Sequence, residues 1–128
     1  MAIRVVRLGS PRIPGEGLRL GTVRRPPRGV PKDEFASRDF YDIWFPDLAP
    51  SEALLKEARE ATDDKAWQRF VKRYIAEMRR PEAARLLSLL AALSRQTDFS
   101  IGCYCTDEER CHRSLLKALL IEHGAELA

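Results

Sequence analysis

Strand-like and helix-like segments are interspersed along this 128-residue chain, and that order predicts a small layered α/β domain. Three observations carry the prediction. Short apolar runs read as three or four strands, longer stretches with apolar residues spaced three and four apart read as about four helices, and helices fall between strands. Crossover helices of that kind make a short sheet at least partly parallel. With 45% hydrophobic residues the chain can bury one core, so a single domain spanning 1–128 is expected.

Ile3-Arg4-Val5-Val6-Arg7-Leu8 is the first strand candidate and Leu18-Arg19-Leu20-Gly21-Thr22-Val23 the second. Gly9, Pro11, Pro14, Gly15 and Gly17 make the stretch between them a surface loop. The second strand runs into Arg24, Arg25, Pro26, Pro27, Arg28, Gly29, Val30, Pro31 and Lys32. Three prolines forbid a regular helix or central strand there and predict a stiff loop that turns its bases outward. Phe40-Tyr41-Asp42-Ile43-Trp44-Phe45 is a third strand candidate, interrupted by Asp42.

Pro50-Ser51-Glu52 opens a helix to about Glu60, with proline and acid at its positive end. Trp67, Phe70, Val71, Tyr74, Ile75 and Met78 form an amphipathic stripe capped by Asp63 or Asp64, a core face rather than a ligand box. Pro81 starts a further helix whose alanines and leucines leave little polar surface, so it is expected to be covered by the domain's own sheet, or else by a partner. Phe99 to Tyr104 reads as a buried strand. Leu115, Leu116, Leu119 and Leu120 read as the last helix, ending near Gly124, with His123 suited to its C-terminal dipole.

All three cysteines, Cys103, Cys105 and Cys111, lie in one nine-residue window that His112 and Arg113 follow, at the turn from that strand into that helix. Open α/β sheets place ligands at such turns, and free amides at a helix start favour anions and lower a thiol pKa. The thiols are too crowded to staple distant parts of the fold, so they are expected to be reduced. No apolar run approaches the roughly 20 residues of a membrane span, and Met1-Ala2-Ile3-Arg4 has no secretory character. A cytoplasmic protein with no membrane partner is expected.

The net charge of +3 hides an asymmetry. Residues 1–32 carry eight bases against Glu16 alone, and residues 33–64 carry ten acids against three bases. That split reads first as two segments that attract each other, and second as a basic face for phosphates.

Arg24 with Pro27-Arg28-Gly29, Trp44 followed by Pro50-Ser51, and Phe70, Tyr74 and Glu77 stand in an order and spacing that resemble the YeaO-like branch of a large bacterial family of domains of unknown function. Cys111-His112-Arg113 entering Ser114-Leu115 resembles the broader family's C-terminal motif. Pro26 departs from the pattern, which commonly carries Trp there. The resemblance spans nearly the whole chain and implies a small α/β cytoplasmic domain. It supplies no reaction.

Chemistry is therefore read from the residues, which leave several readings open. The leading one is a phosphate-bearing or other anionic ligand in a cleft between the loop of residues 24–32 and the turn of residues 105–113, with Arg24, Arg28 and Arg113 as its contacts. Arg24 and Arg28 are then expected at the same end of the sheet as Cys111. The second is a thiol-dependent enzyme using Cys111 or Cys105, with His112 as a third catalytic candidate. In that reading Cys111, at the helix start, is the expected low-pKa thiol. Seven residues separate Cys105 from Arg113, too many for the loop of cysteine-dependent phosphatases. The third is zinc held by Cys103, Cys105, Cys111 and His112, but Cys111 and His112 are adjacent on a helix and the knuckle spacing is missing, so neither metal nor cofactor is assigned. Cys103 reads rather as a buried small hydrophobe. His112 could instead fix the turn through a carbonyl, and Arg113 could pair with Asp107, Glu108 or Glu109. Nucleic acid is a weaker expectation than a small ligand because no recognition motif accompanies the bases. A protein-interaction domain without a ligand is the last alternative, and the chain is expected as a monomer or homodimer.

Overall fold

The computed structural model describes residues 1–105 and 111–128. Four strands, β1 (Ile3–Arg7), β2 (Leu18–Gly21), β3 (Ile43–Trp44) and β4 (Phe99–Cys103), form one sheet in the order β1-β4-β2-β3, and every pairing is parallel. Four helices accompany it: α1 (Glu52–Glu60), α2 (Asp64–Met78), α3 (Pro81–Leu93) and α4 (His112–Glu122). The α/β class is as expected. The partly parallel sheet proves parallel throughout, so the described strands all direct their C-terminal ends to one edge.

Each helix starts where local chemistry allows it. The Ser51 hydroxyl accepts from the Leu54 amide at the head of α1, and the Asp63 carboxylate accepts from the Ala66 amide at the head of α2. Pro81 opens α3, where its missing N–H costs nothing. Phe70, Tyr74 and Met78 of α2, Leu87 and Leu90 of α3, and Leu116, Leu119 and Leu120 of α4 pack with Ile3, Leu20, Phe99 and Ile101 of the strands in one core. As expected, α3 buries one face in the domain through Ala83, Leu87, Leu90 and Ala91. Its other side leaves Leu89 and Leu93 exposed.

Side chains that alternate to the opposite face of the sheet meet loops. Arg19 is fully buried there. Its Nε and Nη2 donate to both carboxylate oxygens of Glu16 at 2.9 Å, while Nη1 donates to the carbonyls of Ser10 and Asp39. Asp39 adopts φ 62°, the left-handed region, and its carbonyl also accepts from Gly9. Tyr41 lies over Gly21 so closely that a Cβ there would run into its ring.

The third strand, expected over 40–45, is only Ile43–Trp44. Tyr41 leaves the sheet to cover Gly21, and the Asp42 carboxylate takes the Arg19 amide at 2.8 Å together with the Arg12 guanidinium at 2.7 and 3.1 Å. Side-chain bonds thus replace the start of a strand ladder. Residues 24–32 form the irregular loop that the prolines dictate. Arg25, Arg28 and Lys32 face solvent and Arg24 turns inward.

Candidate functional site

Because β2 and β4 are parallel neighbours, the loop after β2 and the turn after β4 leave the sheet at the same edge. Two contacts join them. The His112 Nε2 is 2.7 Å from the Thr22 carbonyl, and the Tyr104 hydroxyl donates to the Arg25 carbonyl at 2.8 Å.

Cys103, at the end of β4, and Cys111, immediately before α4, are both buried and their sulfurs are in direct contact. Cys105, two residues after Cys103, is exposed. The cluster separates the three thiols electrostatically. The Cys105 pKa falls because Cys103 and then Cys111 act as donors to its thiolate, with Arg113 adding positive charge, against the opposing effect of burial. The Cys103 pKa rises, since its proton serves Cys105 and then Cys111 and burial disfavours its charge. Cys111 is pushed up to about 11: its bond with Cys103 acts to lower it, but its bond to Cys105 and burial outweigh that. The low-pKa thiol is therefore Cys105, whereas the helix-start position had pointed to Cys111. A hydrogen bond between thiols at contact outweighs the diffuse field of the helix end.

His112 is buried, and burial lowers its pKa, so the ring is neutral. A carbonyl can only accept, so Nε2 carries the proton toward Thr22 and Nδ1 presents its lone pair to the Cys111 sulfur at 3.9 Å. This fixes the turn, as expected of a carbonyl-bonded histidine, and also leaves one basic nitrogen facing the thiols. Tyr74 of α2 packs edge-on against the imidazole at 5.8 Å.

Cys103, Cys111 and His112 present ligand atoms all within 4.8 Å of one another. Two thiols and an imidazole suit a soft or borderline cation such as zinc, and the His112 to Thr22 bond is of the kind that orients metal-bound histidines. Adjacency on a helix, which argued against a shared site, does not keep Cys111 and His112 apart: Cys111 is still extended and only His112 is helical.

Arg113 is 94% buried, by the 6% of its surface that remains exposed, and its Nε and Nη1 have no hydrogen-bond partner among the described residues. The pairing expected with Asp107, Glu108 or Glu109 falls on residues outside those described. Arg24 serves the fold: Nε donates to the Pro50 carbonyl and Nη2 to those of Pro46 and Ala49, tying β2 to the segment before α1. Arg28 lines a cleft of about 580 Å³ with Arg25, Pro26, Pro27, Phe40, Arg59 and Tyr104. Phe40, Arg59 and Tyr104 carry no motif that would have singled them out. They meet only through the fold, since Arg59 belongs to α1 and Phe40 to the loop before β3.

Fold and site together define a small parallel α/β domain with a buried thiol and imidazole cluster at the C-terminal edge of its sheet. The chain belongs to the DUF488 family, whose model described as the active DUF488-N3 subclade (DUF488-N3a) matches residues 3–124. The likeness to YeaO, itself a DUF488 member, agrees with this. No curated protein and no solved structure matches the chain.

Proposed function

We propose that the protein binds a small phosphate-bearing or other anionic ligand at the turn between β4 and α4, with Arg113 as the partner of the anion and the Cys105 thiolate beside it. The observation that carries this reading is the buried Arg113 guanidinium whose Nε and Nη1 have no described partner. Leaving such donors unpaired costs about 1–3 kcal/mol or more, a cost that a ligand's oxygens would offset in the bound state. The positive end of the α4 dipole favours the same charge.

The test is Arg113→Met, which keeps the apolar stem and removes the charge. Without ligand the variant should be more stable by about 1 kcal/mol, a rise of about 4 °C in Tm. It should also lose the stabilisation that millimolar phosphate gives the natural protein. A variant that is less stable yet still responds to phosphate overturns the proposal.

Thiol chemistry on that ligand is a second reading, supported by the lowered pKa of the exposed Cys105. The subclade's description as active agrees with it. Here Cys105 is the nucleophile, Arg113 holds the anionic part of the substrate, and Cys103 and Cys111 keep the sulfur ionised. Retained zinc, with Cys105 protected from alkylation until the metal is stripped, would replace this reading with a metal site.

A further inference from the structure

We infer that the ligand is a nucleotide, its base held in the cleft walled by Phe40 and Tyr104 and its phosphate reaching Arg113. This rests on the anion reading of the same turn and extends it to the rest of the ligand.

Tyr104, which lines the cleft, directly precedes Cys105, so the cleft and the thiol turn are adjacent along the chain. The Tyr104 ring is held in place by its hydroxyl bond to the Arg25 carbonyl. Phe40 meets it edge-to-face, with centroids 6.4 Å apart and planes at 69°. Two rings fixed at that angle let a flat aromatic group stack on one and meet the edge of the other. Pro26 and Pro27 also line the cleft, as stiff residues with little entropy left to lose on binding. A volume of about 580 Å³ is in the range of small-molecule sites and suits a nucleotide better than an inorganic anion.

The charges fit the same ligand. Arg25 is bound to Glu52 at 3.2 Å, but Arg28 and Arg59 make no hydrogen bond or ion pair with the described residues. Guanidinium groups beside aromatic rings both stack on bases and neutralise phosphates. A simple phosphate would use Arg113 alone and leave the rings, prolines and remaining arginines without a role.

Calorimetric titration of the full chain with inorganic phosphate, ribose phosphate and the four ribonucleoside monophosphates tests this. At least one nucleotide should bind about tenfold tighter than ribose phosphate, the increment expected of one stacked base. Tyr104→Leu should remove that increment and leave ribose phosphate affinity within about twofold, while Arg113→Met should weaken both. Should Tyr104→Leu fail to fold, Arg59→Ala, at an exposed position, should cost a nucleotide about threefold and ribose phosphate nothing. Equal affinity for ribose phosphate and all four nucleotides overturns the base cleft and leaves the anion site standing. No phosphate binding of any kind overturns both. A short single strand with a terminal phosphate that binds tighter than the mononucleotide supports the inference with a strand end as ligand, and one that binds no tighter supports it with the free nucleotide.

Discussion

Cys103, Cys105 and Cys111 carry the same functional group in three settings, and the settings decide which one reacts. Thiolate is the nucleophile, so reactivity follows ionisation and access together. Cys105 has both: it is exposed, and two thiols donate to it. Cys103 and Cys111 have neither, being buried with raised pKa values. Iodoacetamide should therefore label Cys105 first. Its rate should change little from pH 8 to pH 6, an interval over which an ordinary thiol with pKa ~8.5 slows about a hundredfold. Peptide mapping of the alkylated protein gives the order directly. First labelling at Cys111, or a Cys105 profile that bends near pH 8.5, would sink this ranking. The cluster itself was legible in the sequence because its thiols, His112 and Arg113 are nearly contiguous. Which thiol ionises was not, because that depends on how β4 and α4 approach each other, and neither does the sequence reveal that Thr22 supplies the carbonyl for His112.

At the scale of elements, β4 carries the site. It is buried along its whole length between β1 and β2, and it delivers Cys103 to the sheet edge. Gly102, one residue before, has no room for a side chain: a Cβ would stand 2.6 Å from the Val6 carbonyl oxygen and 2.9 Å from the Leu8 side chain. The nearest atom is backbone, which cannot swing aside. Gly102→Ala should thus destabilise the fold by about 1–3 kcal/mol, read as a lower urea midpoint. It should also speed labelling of Cys103, as the strand end shifts. An unchanged midpoint would mean that β1 and β4 are less tightly apposed than described. The helices were legible because caps and periodicity are local, as Ser51, Asp63 and Pro81 illustrate. The third strand was not, since the pull of Arg12 and Arg19 on Asp42 comes from residues 30 and 23 positions away. A fully parallel sheet likewise follows from strand order, which no single segment encodes.

Across the whole molecule, the opposed charges of the first two quarters meet at two points. Arg12 pairs with Asp42 and Asp39, and Arg25 with Glu52, joining the basic first segment to the acidic second. Within the first segment Arg19 is matched to Glu16, whose carboxylate also accepts from Ser100 of β4. Arg28 is one of several bases of the first segment that pair with no described carboxylate, and its place in the aromatic cleft gives that charge a use. These pairings set how the fold responds to acid. Burial raises the pKa of Asp42, but hydrogen bonds from Arg12 and the Arg19 amide bring it below the usual 3.8. Glu16 ends below 4.5 because its bonds to Arg19 outweigh burial. Their contribution is complete above those ordinary values and is lost as pH falls through the lower folded ones. His112 acts earlier. Burial holds its pKa below 6.5, so on acidification from 6.5 the unfolded chain takes up a proton that the native imidazole refuses, and stability falls. Stability against pH should accordingly decline in two stages, the first beginning near 6.5 and the second below about 4.5. His112→Gln should flatten the first stage alone. Asp42→Asn should weaken the second and lower stability at neutral pH by about 1–2 kcal/mol, as a partly exposed, charge-assisted contact is lost. Urea midpoints measured from pH 7.5 to pH 3 separate the stages. A single decline confined to the carboxylate range, unchanged by His112→Gln, would show that the imidazole protonates in place and that its lone pair does not face the thiols in a dry pocket.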